Sequence, residues 1–442
     1  MHEKLIENVF MRFGDLLYNT DVIEQLKYWR KVSLLNEREI NDLSESNLQR
    51  LLYYAVDSIP FYSNVKISGN TDSVSMLADF PVMHKEDVKS NTDLLIKGDK
   101  RNLIKYSSSG SSGIQGTVYM NKKEESVIRA IMLLWWEWAG YKLGKTTLQT
   151  GMTTDRGILK SLKDLILNID YFSAFGLSDR EILHLLKRYQ SKKGCFLAGY
   201  PSSLNAIAEI AIKNSINDVR FDSAICWGDK LFDYYKKKIK HAFGTEVKEV
   251  YSCNEGFLVG AKKDLDYFYV MSPHVHVEIV DKNGMAVPDG QLGYVLLTRL
   301  DSFSMPLIRY YVGDLAIKLP REKYPDKREM HFPLLEKVIG RDTDIVYTTS
   351  GKYLIVHFFT GIFEYVPEIR QFRVIQRELS SIEIEYIPAE NFEYAIIQKV
   401  ERIIKDKIKD DLRILWKQVD QIPPTPSGKP QLIQSFINKA KV

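Results

Sequence analysis

The chain has 442 residues, 45% hydrophobic and 27% charged, which is enough apolar material to bury a core and enough length for two or more domains; disorder is not the default for such a chain. Its 61 basic and 57 acidic residues leave a net charge of +4, too balanced for the one-signed field of a nucleic-acid or membrane-surface binder. Three cysteines, Cys195, Cys226 and Cys253, include no Cys-x-x-Cys pair, which fits neither a disulfide framework nor a zinc knuckle and points to a reducing compartment.

From Met1 to Arg30 charged and apolar residues are mixed and no secretory apolar core occurs, while the longest apolar run, Ala130 to Trp136, is too short to span a bilayer. A cytoplasmic protein with no membrane span and no nucleic-acid partner is expected. Between Leu5 and Leu51 the apolar spacing is helical, with Asp42 and Ser44 read as caps before Leu48, Leu51 and Leu52. The next helix is stopped at Ile59-Pro60, and Asp79 to Val88 reads as a short extended piece feeding another helix.

Tyr106-Ser107-Ser108-Ser109-Gly110-Ser111-Ser112-Gly113-Ile114-Gln115-Gly116-Thr117 follows. Its glycines let backbone N–H groups approach an anion and its hydroxyls add uncharged donors, so it reads either as a phosphate loop or as a flexible linker. It lacks Gly-Lys-Ser/Thr and is no Walker loop. Glu124 to Tyr141 reads as a helix whose Trp135, Trp136 and Trp138 belong in a core more readily than in a pocket wall.

From Tyr141 to Asp229 β-like runs (Thr146 to Thr150, Cys195 to Ala198, Ala224 to Trp227) alternate with helices Asp179 to Gln190 and Ser203 to Lys213, which implies parallel β-α units. Val247 to Thr298 is richer in strands. There His274, His276 and Glu278 alternate with Val275, Val277 and Ile279, and are expected on a polar, half-solvated strand face rather than around a metal. Beyond Val346 short strands flank a helix Phe392 to Ile408 and a Pro-rich finish, which fits a small α+β domain.

Taken together and in this order, the stretches resemble the acyl-adenylate-forming ligase superfamily, in particular its phenylacetate-coenzyme A ligase branch and the capsular-polysaccharide-associated relatives. Ser108-Ser109-Gly110-Ser111-Ser112-Gly113 resembles the first phosphate motif, with Gln115 in place of the usual proline and no lysine in the loop. Tyr251-Ser252-Cys253-Asn254-Glu255 is similar to the motif in which an aromatic ring stacks on adenine and a glutamate helps hold Mg²⁺; Asn254 stands where threonine is usual. Ser304 to Asp314 matches the stretch that ends on the ribose-binding aspartate, here Asp314. Ile339-Gly340-Arg341-Asp342-Thr343-Asp344 resembles the hinge motif, with Arg341 toward the nucleotide and Thr343 at the pivot. Pro424 to Lys429 resembles the C-terminal motif and makes Lys429 the catalytic lysine.

The resemblance implies an α/β protein: a large adenylate-forming domain with a β-rich subdomain over residues 1–341, and a small mobile α+β lid over 342–442. It also implies ATP and Mg²⁺, a small carboxylic acid substrate, and coenzyme A or an amine or hydroxyl as acceptor. Gly228 and Asp229, after Trp227, and the segment Tyr171 to Ala174 fall where relatives line the adenine and acyl pockets. The chemistry has its own logic, because joining a carboxylate to ATP brings anions together and needs donors, a metal ligand at Glu255 and a cation at Lys429. The missing loop lysine and proline motivate an alternative, a nucleotide-binding scaffold of the same fold in a glycan-synthesis complex.

Overall fold

A computed structural model describes residues 5–68, 72–107, 117–151, 163–174, 178–341, 345–350, 353–363, 365–408, 410–423 and 431–437. The chain divides into two compact units: Met1–Val312 with Ala316–Lys337, and Gly313–Leu315 with Val338–Val442.

In the first unit, helix Glu37–Ser58 starts at a capping box. The Asn36 side chain accepts from Glu39 N and the Glu39 carboxylate accepts from Asn36 N. Asp42 and Ser44 therefore lie inside this helix rather than capping it; the Ser44 hydroxyl donates back to Ile40 O at 2.6 Å. The helix ends where Ile59, preceding Pro60, turns extended.

Two short strands, β1 (Ile104–Ser107) and β2 (Thr117–Met120), pair antiparallel with Ser107 opposite Thr117. The strands β3 (Thr147–Gly151), β4 (Ile169–Ser173), β5 (Phe196–Gly199), β6 (Ser223–Cys226) and β7 (Val247–Cys253) form a parallel array in the order β4-β3-β5-β6-β7. The sheet continues through β8 (Phe257–Ala261), β9 (Phe268–Val270), β10 (Val275–Val280), β11 (Leu292–Arg299), β12 (Tyr310–Lys318) and β13 (Leu334–Arg341), in the order β7-β8-β9-β13-β12-β11-β10. The pairs β7·β8, β8·β9, β9·β13 and β10·β11 are antiparallel.

Two cores follow from the period of two along the central strands. In β5, Phe196 and Ala198 face a cluster with Val127, Ile131 and Leu134 of helix Lys122–Trp138. Leu197, one residue out of phase, joins Leu148 and the stripe Ile182, Leu185, Leu186 and Tyr189 of helix Asp179–Tyr189. Both faces of the parallel array are thus covered, which is why its strands read as continuous apolar runs.

The second unit is built on β16 (Ile369–Glu378) and β17 (Ser381–Pro388), an antiparallel pair flanked by β18 (Arg413–Gln418) on β17 and β19 (Ile433–Ser435) on β16, both parallel to their neighbours. A further pair, β14 (Ile345–Tyr347) with β15 (Tyr353–Ile355), is tied to it by the buried Gln376. That amide accepts from Tyr347 N at 2.9 Å and donates to Tyr347 O at 2.6 Å. Helix Ala395–Ile408 buries Val400, Ile404 and Ile408, one residue per turn. Glu385 on β17 takes Arg373 at 2.5 Å and Lys417 at 3.1 Å; burial would raise its carboxyl, and these two cations overcome that and hold it below its usual value. The architecture is mixed α/β with a smaller α+β unit at the C-terminus.

Candidate active site

The chain order of the parallel strands reverses between β3 and β5. In open α/β sheets the crevice beyond the carboxyl ends of the strands at such a point is where ligands bind. Tyr171 on β4 crosses the end of β3, its ring close to Gly151. At the end of β5 the backbone turns through Tyr200 into helix Pro201–Lys213, and Tyr200 N donates to Thr150 Oγ1 of β3 at 3.3 Å.

β6 ends into Trp227-Gly228-Asp229. Gly228 has φ of +88°, and a Cβ there would stand 2.4 Å from the Tyr200 ring, so only glycine lets the chain turn past that ring. The Ser202 hydroxyl donates to Asp229 Oδ2 at 2.5 Å. Trp227 stacks on Trp136 at 5.8 Å between ring centroids. Of the helix's three tryptophans, Trp135 is core, whereas Trp136 and Trp138 are half-buried, so one of the three does join an aromatic wall at the sheet's carboxyl edge.

β7 carries Tyr251, buried, with a break in ladder register before Ser252. Asn254 is exposed and Glu255 half-buried on the turn into β8. Gly256 closes that turn at φ of +92°, with Arg299 Nη1 only 2.9 Å from where a Cβ would be. Glu255 Oε1 accepts from the Tyr310 hydroxyl at 3.3 Å. Tyr310 is stacked on Phe257 at 5.8 Å with an interplanar angle of 7°, and burial, followed by the Glu255 charge, pushes its hydroxyl far above its ordinary range and keeps it a donor. A small cavity beside the turn is lined by Tyr119, Met120, Glu255, Phe257, Arg299 and Met305.

Beneath the turn lies a polar network that sequence reading missed. Arg299 donates from Nε to Asp301 Oδ1 at 2.6 Å and from Nη2 to Glu124 O at 2.8 Å. His274 Nδ1 meets Asp301 Oδ2 at 2.5 Å, and Leu258 N donates to His274 Nε2 at 3.3 Å. That second bond requires Nε2 to carry no hydrogen, which puts the ring N–H on Nδ1, facing the carboxylate. Burial alone would raise Asp301; the His274 N–H and the Arg299 guanidinium overcome it and hold the carboxyl down at about 2. Glu124 completes the link: its Oε1 accepts from Phe303 N at 2.6 Å and Ser304 N at 2.7 Å, while Oε2 accepts from Asn121 N at 2.8 Å. The strand leaving the Ser/Gly stretch, β2, is thereby fixed to the start of β8.

The expectation of a polar, half-solvated face for His274, His276 and Glu278 is corrected at His274, which precedes β10; His276 and Glu278 are half-buried on the strand. His274 is fully buried in this network, Glu278 is paired with Arg309 at 3.0 Å, and burial, then Lys318 and Arg309, lowers His276 to about 4. Among the described residues no cluster of three or more His, Cys, Asp or Glu side chains is placed to hold a metal ion. Glu255 still fits Mg²⁺, which typically takes one or two carboxylates and fills its remaining positions with water and substrate phosphates.

Gly228, Asp229, Tyr251, Asn254 and Glu255 are thus brought to the carboxyl ends of the neighbouring strands β6 and β7. Asp314 lies on β12 directly after Gly313, and Arg341 is the exposed last residue of β13; both belong to the second unit. Ser108, Ser109, Gly110, Ser111, Ser112, Gly113, Thr343 and Lys429 lie outside the described residues. The only sequence signal for Arg299 and Asp301 is a charged pair at the end of the apolar run Val295-Leu296-Leu297.

Residues 346–436 match the CapK C-terminal domain family. The chain is 24% identical to Protein CapK of Staphylococcus aureus, over 91% of each, and 20% identical to the phenylacetate-coenzyme A ligase of Thermus thermophilus, over 91% of this chain and 98% of that enzyme. Over nearly its whole length the chain is thus similar to members of the acyl-adenylate-forming ligase superfamily. A second phenylacetate-coenzyme A ligase, from Pseudomonas putida, is 23% identical over 75% of this chain and 77% of that enzyme, so the similarity is to that branch of the superfamily. A solved adenylate-forming ligase, 2-hydroxyisobutyryl-CoA ligase in the postadenylation state in complex with R3-HIB-AMP, shares the fold with a TM-score of 0.69 at 16% identity, over 92% of this chain and 90% of that one.

Proposed function

We propose that this protein activates a small carboxylic acid with ATP and Mg²⁺, forming an acyl-adenylate and pyrophosphate, and then passes the acyl group to coenzyme A or to an amine or hydroxyl acceptor. In the first step a carboxylate oxygen bonds to the α-phosphorus while the bond to the bridging oxygen breaks and its electron pair leaves with pyrophosphate. In the second the acceptor bonds to the acyl carbon, its proton goes to solvent, and AMP departs. The observation that carries this reading is the Asn254–Gly256 turn. It holds Glu255 at the carboxyl edge of the parallel sheet, hydrogen-bonded to Tyr310 and backed by Arg299.

In this reading Tyr251 stacks on adenine, Gly228 and Asp229 line the nucleotide site, Asp314 accepts from the ribose hydroxyls and Arg341 meets the nucleotide. When bound, Mg²⁺ would be held by Glu255 and would neutralise phosphate charge. The Ser108–Gly113 stretch supplies donors to the phosphates, and Lys429 brings positive charge to the carboxylate and α-phosphate together. The division of labour between residues 1–341 and a lid over 342–442, turning at Thr343, belongs to the same proposal, as does a place in polysaccharide biosynthesis in the cytoplasm. The aromatic group Tyr200, Trp227 and Trp136 supports a compact aromatic or hydroxylated acid.

AMP release measured over a panel of carboxylic acids, with and without coenzyme A, tests the proposal and assigns the acceptor. Release that depends on an acid supports the ligase; release that ignores coenzyme A counts against thioester formation. ATP that raises the melting temperature with no acid-driven turnover would favour the scaffold alternative instead.

A further inference from the structure

The N-terminal helical segment carries its polarity the wrong way round for a monomer. A π-helical turn, Ile6–Met11, runs straight into helix Arg12–Tyr18. Two of its acids turn toward the body of the protein. Glu7 accepts from both terminal nitrogens of Arg30, at 2.8 and 3.1 Å, and Asp15 accepts from Val22 N at 3.1 Å, Ile23 N at 2.9 Å and the Thr20 hydroxyl at 2.6 Å. Most of the large apolar side chains point outward instead: Phe13 is 64% exposed, Leu16 80% and Leu17 64%, with Val9 at 51% and Phe10 at 45%, while Ile6 is buried and Met11 packs half-buried against the core. A surface helix normally buries its apolar stripe and exposes its charges.

Three features say what covers this face. Its side chains, with Leu5 and Tyr18, expose roughly 700 Å², above the about 300–600 Å² of the largest patch on an ordinary monomer and close to the about 800 Å² per partner of a standard-size interface. Arg12 is the only basic residue between Leu5 and Tyr18, and it pairs with Glu24 at 3.3 Å, so the helix lacks the Lys/Arg row that would hold it on an anionic bilayer. Gly14 sits inside the helix at a cost of about 1 kcal/mol relative to alanine, yet a Cβ there would meet nothing within 4 Å. Among the described residues nothing calls for that glycine, whereas a second backbone passing close by would.

We propose that a second copy of this chain covers this face, the two Leu5–Tyr18 segments pairing across a two-fold axis so that the same patch meets itself. The test is the mass of the full chain by sedimentation equilibrium across the micromolar range. The wild type and the control Met285→Asp, an exposed apolar position elsewhere, are expected near twice 51.1 kDa, and the double variant Phe13→Asp/Leu17→Asp and the single variant Leu16→Glu near 51.1 kDa. All three substituted positions on the helix are exposed in the protomer, so unchanged circular dichroism is expected to accompany the two-fold loss of mass. A wild-type chain that stays at 51.1 kDa throughout, whether or not it sediments with phosphatidylserine-containing vesicles, overturns the proposal. So does a dimer that persists in both helix variants.

Discussion

The Tyr310 hydroxyl donates to Glu255 Oε1 across 3.3 Å, joining residues 55 positions apart in the chain. Stacking on Phe257 fixes the ring, so Tyr310→Phe removes the donor and leaves the packing. A hydrogen bond to a charged acceptor is worth about 1.5 kcal/mol at the weak end of its range, or about tenfold in rate if it acts on the transition state. Acid-dependent pyrophosphate release is expected to fall about tenfold, with partial recovery at high Mg²⁺. An unchanged rate at limiting Mg²⁺ would remove Tyr310 from the site.

Gly256→Ala is expected to cost stability and activity together. The backbone at φ of +92° disfavours any side chain, and the new Cβ would lie 2.9 Å from Arg299 Nη1 and 3.0 Å from Ile128 Cδ1. A loss of about 1–3 kcal/mol in denaturant unfolding is expected. Since the displaced group is the turn that carries Glu255, activity should fall further than in Tyr310→Phe; wild-type turnover would show that the turn's position is immaterial.

Local features of the fold were legible in the sequence, and long-range ones were not. Helix Asp179–Tyr189 has a capping box at Ser178 and a regular apolar stripe, and the sequence boundaries differ from it by one residue. Asp42 and Ser44 misled because both are good caps in a stretch whose actual cap, Asn36 with Glu39, comes earlier. The network under Glu255 was invisible for another reason. Arg299 reaches Glu124 across 175 positions, and Glu124 reaches Ser304 across 180, so no spacing rule connects them. Glu255, by contrast, sits in a short motif whose residues act through one turn.

Asp301 makes a pH prediction. Its carboxyl is held at about 2 in the folded chain, below an unfolded value of about 3.9, so its contribution is complete above about pH 4 and is lost as pH falls through about 2. Asp301→Asn is expected to lose about 2 kcal/mol near neutral pH. The gap between variant and wild type should close as the pH drops from about 4 toward 2. Urea unfolding at several pH values measures it; a gap independent of pH would show that the carboxylate's charge contributes nothing.

Arg309 is expected to be structural despite lying in the stretch that leads to Asp314. Its backbone has φ of +51°, its guanidinium pairs with Glu278 and donates to Phe80 O at 3.2 Å and Gly284 O at 2.8 Å, and its own carbonyl accepts from Met83 N at 3.1 Å. Arg309→Ala leaves the largely buried Glu278 uncompensated, a loss of about 3–5 kcal/mol. Arg309→Ala/Glu278→Gln should recover part of it. No recovery in the double variant would place the cost in the carbonyl contacts rather than the ion pair.

The central claim, that this chain joins a carboxylic acid to the α-phosphate of ATP, is tested most directly by acid-dependent exchange of labelled pyrophosphate into ATP. The wild type is expected to exchange with at least one acid of a broad panel. Glu255→Gln should exchange far more slowly, and Lys429→Ala should lose exchange while still binding ATP. Tight ATP binding with no exchange for any acid, or full exchange by Lys429→Ala, would contradict the account.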